Sequence, residues 1–259
     1  MKFDAAPSVT SKSRAPFSLV YQDELLVAVN KSSGIAVGGD RWDETKDRLD
    51  KLLTATFGRV YTTHRIDSGT SGIVVFARSR EAHAALSRAF ETRRVKKTYI
   101  AVIHGRVSWT ETSCDFPLVP NGDKQHRTII DKYRGKKSFT RFRLLHGAGN
   151  YSVVEAEPET GRTHQIRAHL AGMGCPVVCD PLYGKPGGGR AGGEGVFLSS
   201  FKRGWRGDPL DEKPLLNRLG LHAAALVLPD CRAGKAELVL NAPLSRDMAA
   251  LIRQLEKRS

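Results

Sequence analysis

Long apolar runs are missing from this sequence. Nothing in its 259 residues approaches the length needed to cross a bilayer, and no apolar signal segment opens the chain. Cysteine is scarce. Cys114, Cys175, Cys179 and Cys231 suggest no disulfide framework in a chain this long. Cys175-Pro-Val-Val-Cys179 has no second closely spaced pair, which argues against zinc. Reduced cysteines in a cytoplasmic protein are the simplest expectation. Clustered carboxylates and ligand-spaced histidines are also lacking. His164 and His169, five apart, do not share a helix face, so no metal site is expected and a metal-dependent nuclease is excluded. Gly184 to Gly195 holds seven glycines but no Gly-Lys-Ser/Thr pair, so it reads as a flexible excursion and not a phosphate loop. Internal repeats are absent, and no linker divides the chain after Phe17.

Acidic residues are in deficit. Asp and Glu number 27 against 41 Lys and Arg, a formal charge of +14. Such an excess points to a polyanionic partner, nucleic acid first, or to a merely soluble basic protein. The chain is 40% hydrophobic, enough for a sizeable core.

The stretch that concentrates chemistry is His64-Arg65-Ile66-Asp67-Ser68-Gly69-Thr70-Ser71-Gly72. Tyr61 and Thr62 read as the end of one strand, and Ile73 to Ala77 as a buried strand. The motif therefore lies on a loop held by two core strands. Arg65 can reach a phosphate or stack on a base, and Asp67 can act as a base or nucleophile. The plainer alternative is an Arg65–Asp67 ion pair that tidies a turn. A kinase catalytic loop is excluded because Ile66 interrupts His-Arg-Asp and no Asp-Phe-Gly follows. A hydrolase elbow is excluded because the second glycine of Gly69-Thr70-Ser71-Gly72 comes one place early.

Periodicity along the chain predicts mixed α and β. Phe17 to Tyr21 and Leu25 to Val29 read as strands around a Gln22-Asp23-Glu24 turn. Lys31 reads as a surface or structural residue, and Ile35 to Val37 as a short strand. Asp43 to Phe57 looks helical and stops at Gly58. Ser79 can cap a helix through Glu91 with Ala82, Ala85, Leu86, Ala89 and Phe90 toward the core. A basic cluster, Arg93-Arg94-Val95-Lys96-Lys97, follows. It is either a solvated helix end or a set of phosphate contacts, and the total charge favours the second. Lys97 to Val102 begins a strand. Gly105 to Tyr133 is irregular. Lys136 to Leu145 and Tyr151 to Glu157 read as strands joined at Gly147 to Asn150. A turn at Gly161 enters a helix ending at Gly172 or Gly174. Val177 to Gly184 reads as a strand running into a turn, Glu237 to Leu240 as a strand, and Pro243 as the start of a last helix with Met248, Leu251, Ile252 and Leu255 on one face.

His-Arg-x-Asp followed by Thr-Ser-Gly resembles the signature of the RluA family of RNA pseudouridine synthases. Ser68-Gly69 departs from the family's usual polar and charged pair. Further motifs fit at long intervals: Lys97-Thr98-Tyr99, Gly161-Arg162-Thr163-His164-Gln165-Ile166-Arg167, Asp180-Pro181-Leu182-Tyr183-Gly184 and Arg218-Leu219-Gly220-Leu221-His222-Ala223. The resemblance runs from about Phe17 to Pro243. It implies an α+β pseudouridine synthase fold: a mixed, largely antiparallel sheet with flanking helices and a central RNA-binding cleft. It implies Asp67 as the catalytic aspartate and Arg65 as the arginine that displaces the base. Tyr99 and Ile166 would lie against the uracil, and Arg167 would pair with Asp67. His64 and the basic cluster Arg93, Arg94, Lys96 and Lys97 complete the expected substrate-binding set. His222 is read as a buried hydrogen-bonding residue.

The implied reaction isomerises uridine in ribosomal or transfer RNA to pseudouridine, with no cofactor and no metal. The expected protein is a cytoplasmic monomer with a mobile tail (1–16) and one catalytic domain (17–259). That tail has no room for the S4-type domain some family members carry. The competing class is a non-catalytic RNA-binding module of the same fold, against which the intact Asp67, Tyr99 and Arg167 argue.

Overall fold

The computed structural model describes residues 15–39, 48–184, 195–229 and 237–258. Most of the expected tail, the first part of the helix expected from Asp43, residues 185–194 of the glycine-rich stretch and Cys231 lie outside the described residues.

The chain opens on a hairpin of β1 (Phe17–Gln22) and β2 (Leu26–Lys31). Asp23 shapes its turn, one carboxylate oxygen accepting from the backbone N–H groups of Leu25 and Leu26 at 2.8 Å each. Helix α1 (Leu49–Phe57) ends at Gly58, as its sequence predicts. The two-residue strand β3 (Tyr61–Thr62) leads through the signature loop into β4 (Ser71–Ala77), in which every residue is buried. That burial is why Ile73 to Ala77 is uninterrupted by polar side chains. In α2 (Arg80–Glu91) Ser79 caps the first turn, its hydroxyl accepting from Ala82 N–H at 3.1 Å.

Strand β5 (Lys96–His104) follows directly, then the short β6 (Glu111–Cys114) and a separate two-stranded ribbon of β7 (Leu118–Val119) and β8 (Ile129–Ile130). Next come β9 (Thr140–Ala148), β10 (Tyr151–Pro158), α3 (Gln165–Gly172), β11 (Leu221–Leu228), β12 (Leu238–Asn241) and α4 (Arg246–Glu256). The fold is α+β, as expected. Among the described residues ten strands form one sheet in the order β1-β2-β4-β11-β5-β10-β9-β6, with β3 on β4 and β12 on β11. Every pairing in it is antiparallel except β4 with β11.

Some sequence expectations need correction. The strand expected from Lys136 starts at Thr140, because 136–139 serve the neighbouring ribbon and loops: Lys136 exchanges backbone bonds with Leu118, and Phe139 N–H bonds Thr160. Val177 makes only an isolated bridge to Ile103, and Ile35 to Val37 only a bridge through Ala36. The last helix starts at Arg246, after Ser245, three residues beyond Pro243. Lys31 is not on the surface, with 1% of its area exposed.

Alternation along β5 decides which helix covers which face. Ile100 and Val102 join a core with Met248, Leu251, Ile252 and Leu255 of α4, whose spacing puts all four on one stripe. Ala101 and Ile103 point the other way, into a core with Ile166 and Leu170 of α3. Tyr99 shares that second face, so the strand aims it at α3. The third core joins α1 and α2 to β1, β2 and β4. Burial of each such aliphatic side chain stabilises the fold by roughly 1.5–3 kcal/mol.

The parallel junction is tight. Gly72 pairs with Ala223 at φ +116°, and a Cβ there would lie 2.2 Å from the Ala223 carbonyl oxygen. Only glycine fits this position.

Candidate active site

The signature loop is pinned from below. Lys31 Nζ donates to the carbonyls of Ser32, Ile35 and Ser68 at 2.8–2.9 Å, Gly34 N–H also reaches Ser68 O, and the Ser33 hydroxyl donates to Gly69 O at 2.6 Å. Burial pushes the Lys31 ammonium down to about 7; nearby Asp67 works against that and Arg218 with it. The three carbonyls occupy its donors, so Lys31 is a structural clamp. Beyond the turn, Ser71 hydrogen-bonds His222 Nδ1 at 2.9 Å, and His222 Nε2 donates to Ala242 O at 3.1 Å. His222 is thus buried and satisfied, as the sequence suggested.

The loop faces a cleft of about 450 Å³ whose walls include His64, Arg65, Ile66 and Asp67, Tyr99 from β5, and Ile166 and Arg167 from α3. Arg167 is the hub. Its guanidinium holds Asp180 with two parallel bonds of 2.8 Å and Asp67 with one of 3.0 Å, from Nη1 to Oδ2. The Asp180 side chain is fully buried, whereas that of Asp67 is 26% exposed toward the cleft. Burial opposes the Arg167 charge, but Asp180 and then Asp67 outweigh it and raise its pKa. The Arg167 guanidinium also lies over the Tyr183 ring, 5.1 Å from its centre.

The plainer reading of the signature, an Arg65–Asp67 pair, is not realised. Arg65 is exposed on the cleft wall and makes no hydrogen bond or ion pair among the described residues. Tyr99 is half-buried in the cleft. Burial raises its pKa, with a smaller push from Asp67, so its hydroxyl stays protonated. Ile166, 6% exposed, also lines the cleft.

A family model described as RNA pseudouridylate synthase matches residues 25–172. The dual-specificity RNA pseudouridine synthase RluA of Escherichia coli (strain K12) is 32% identical over 169 residues, 65% of this chain and 77% of that protein. The chain belongs to the RluA family of RNA pseudouridine synthases. The ribosomal large subunit pseudouridine synthase D of Zymomonas mobilis is 32% identical over 180 residues, 66% of this chain, which spans only 56% of that relative's length. Among solved structures, human RNA Pseudouridylate Synthase Domain Containing 1 superposes with a TM-score of 0.65 at 25% identity, covering 96% of this chain and 98% of that one.

The RluA-family signature histidine, His64, has its ring committed to the frame. Nε2 accepts from Val75 N–H at 3.0 Å, and the ring stacks on Phe90 at 4.4 Å. Burial, with Lys97 adding, pushes it down to about 3, so it is neutral at physiological pH. The basic cluster divides. Arg93 and Lys97 line the cleft, and Lys97 donates to Thr160 O at 3.1 Å. Burial and then Arg93 push Lys97 down to about 8. Arg94 and Lys96 are exposed outside that lining, Lys96 lying 3.8 Å from Glu237.

The sequence did not reveal Asp180 and Tyr183 as site residues, their segment reading as a strand running into a turn. The signal available was a carboxylate thirteen residues after a buried arginine, in a Pro-containing turn. The turn hydrogen bonds from Leu182 and Tyr183 N–H to Asp180 Oδ1 bring that carboxylate back under α3. Among the described residues no three potential ligand side chains gather to hold a metal, and no helix is long and apolar enough to cross a membrane.

Proposed function

We propose that this chain isomerises a uridine of ribosomal or transfer RNA to pseudouridine, with Asp67 as the catalytic residue. The observation that carries the proposal is the cleft carboxylate of Asp67, exposed on one side and tied by a single bond to a buried arginine on the other. Arg167 holds the carboxylate in place and sets a positive charge beside it while RNA excludes water from the cleft.

The target nucleotide leaves its stack and enters the cleft. Tyr99 and Ile166, both lining the cleft, lie against the uracil, and Arg65, which makes no hydrogen bond or ion pair among the described residues, fills the vacated space and meets phosphate. Asp67 either attacks C1′ or removes the C2′ proton. The N1–C1′ bond breaks, the uracil turns and C5 bonds to C1′ as the Asp67–C1′ bond breaks or the proton returns to C2′; C5 then loses its proton and N1 takes one up, so the product is an isomer of uridine and needs no cofactor or metal. The rim cations Arg93 and Lys97, with Arg94 and Lys96 beyond, guide the phosphate backbone, and His64 holds the wall from which Arg65 projects. Residues 17–259 act as one catalytic domain, in a cytoplasmic monomer. The relatives' names and the cleft chemistry support this reading.

Asp67→Asn tests it. Asparagine offers neither the charge nor the basicity of the carboxylate. Pseudouridine formation should vanish even in single turnover with excess protein, while RNA affinity stays near wild type because phosphate contacts dominate binding. EDTA should leave the wild-type rate unchanged. A wild-type rate in Asp67→Asn overturns the assignment. Wild-type protein that binds structured RNA without isomerising any uridine makes it a binding module.

A further inference from the structure

His164 occupies a position that the proposed chemistry has not used. It caps α3 from a left-handed conformation, φ +51°, which is uncommon for a residue with a side chain. That backbone turns its ring toward the cleft, between two partners. Nδ1 lies 3.1 Å from the Tyr183 hydroxyl, and Nε2 lies 3.9 Å from Asp67 Oδ2, the same oxygen that Arg167 holds.

The Asp67 charge facing Nε2 chooses between two tautomers that Tyr183 allows. The Tyr183 oxygen already accepts from Thr128 N–H at 2.7 Å. Its one proton can go to Thr128 O at 3.2 Å or to His164 Nδ1 at 3.1 Å. In the first case His164 carries its proton on Nδ1 and, when neutral, turns a lone pair on the Asp67 carboxylate. In the second, Nδ1 accepts, and Nε2–H faces the carboxylate. The first keeps the Tyr183 bond to Thr128 O but sets a lone pair against a carboxylate, whereas the second gives up that neutral bond and turns a donor on the Asp67 charge, the stronger of the two interactions.

We infer that His164 is a positioning residue: as the neutral Nε2–H tautomer that Tyr183 allows, it fixes Asp67 through Oδ2 together with Arg167, and so leaves Oδ1 as the oxygen that acts on the ribose. No protein donor reaches Oδ1 among the described residues. The gap of 3.9 Å is longer than a hydrogen bond and closes when substrate displaces water from the cleft. The groups facing the ring are Asp67 and Arg65 from the signature loop, Arg167 from α3, and Asp180 and Tyr183 from the following turn. Burial is the largest influence and lowers its pKa, Asp67 pulls it back up, and Arg167 lowers it again, which keeps the ring uncharged at neutral pH. Tyr183 braces both groups that hold Asp67, since its ring also carries the Arg167 guanidinium.

This inference rests on the proposed role of Asp67, and its test separates the two. In the free protein, nitrogen-15 NMR of the His164 ring reads the tautomer without any reaction. The expected result is a protonated Nε2 and an accepting Nδ1 at neutral pH, with a lower His164 pKa in Asp67→Asn because the supporting carboxylate charge is gone. A protonated Nδ1, or a pKa indifferent to Asp67→Asn, overturns the inference whatever the enzyme does. The kinetic arm uses His164→Asn. Asparagine tolerates the left-handed backbone and keeps a polar group at the Nδ1 position, but has nothing at Nε2. Its kcat should fall by about tenfold to a hundredfold, with KM for RNA changed less than about threefold, as misplacement of a reacting group predicts. A wild-type kcat in a folded His164→Asn protein overturns the positioning role. Wild-type protein that shows the expected tautomer and linkage but never isomerises uridine refutes the proposed function alone.

Discussion

Arg167 serves two carboxylates, and its replacement by methionine should show which one the fold needs. Arg167 and Asp180 form a pair with side-chain exposures of 5% and 0% and two bonds of 2.8 Å. Arg167→Met strands the Asp180 carboxylate in the interior, and breaking such a buried pair costs about 3–5 kcal/mol. At 2–4 °C per kcal/mol for a chain of this size, the melting temperature should drop by roughly 6–20 °C. Asp67 differs. Its side chain is 26% exposed and linked by one bond, so Asp67→Asn should cost about 1 kcal/mol or less, a shift of at most about 4 °C. The double variant Arg167→Met/Asp180→Asn removes the stranded charge, and the carbonyl of the introduced asparagine can still accept from the Leu182 and Tyr183 N–H groups that now reach Oδ1. It should regain most of the lost stability but none of the lost turnover. Thermal unfolding by circular dichroism, with pseudouridine formation measured on the same samples, reads both. An Arg167→Met protein melting within about 2 °C of wild type would refute the reasoning, as would an Asp67→Asn protein destabilised equally.

Three further outcomes are expected. Reversing Arg93 and Arg94 to Glu should flatten the dependence of log K on log salt for RNA binding, measured by filter retention across a salt series; an unchanged slope removes them from the RNA surface. Burial holds His222 at about 4 when folded against 6.5 unfolded, so the unfolded chain binds more protons between these values, and this residue's contribution is intact above pH 6.5 and lost by up to about 1.4 kcal/mol per pH unit as pH falls toward 4. Urea titrations should therefore show a shallower acid slope in His222→Gln, and an identical slope would contradict the linkage. Gly72→Ala should prevent soluble folding because its Cβ meets the Ala223 backbone at 2.2 Å, whereas Gly105→Ala, at φ +93° with open space around it, should cost only about 1–2 kcal/mol in chemical denaturation.

What could be read from residues alone was local. Ser79 announced a cap and the apolar spacing to Glu91 a helix, because both signals act within a few residues. The unbroken run Ile73 to Ala77 announced a strand covered on both faces. The approach of Arg167 to Asp67 was legible only through the family's third motif, since a hundred residues separate the two. The Asp180 anchor stayed hidden because nothing in Asp-Pro-Leu-Tyr-Gly says which buried cation the carboxylate meets. Sheet order was hidden for the same reason: β4 and β11 pair across some 150 residues, and no pattern in either strand names the other. The family resemblance put His64 in the substrate-binding set, yet its ring nitrogen serves the Val75 amide.

Strand β11 has a consequence for the order in which this molecule can be completed. It lies between β4 and β5, bonded to both, and so joins the half of the sheet that carries the Asp67 loop to the half that carries Tyr99 and packs against α3. Residues 221–228 leave the ribosome after every one of those side chains has already been synthesised. Until they arrive, the two halves of the cleft have no shared backbone bonds in the sheet to set their separation. In the finished sheet, the backbone framework that sets the distance from Asp67 to Arg167 therefore runs through the last of these strands to be made.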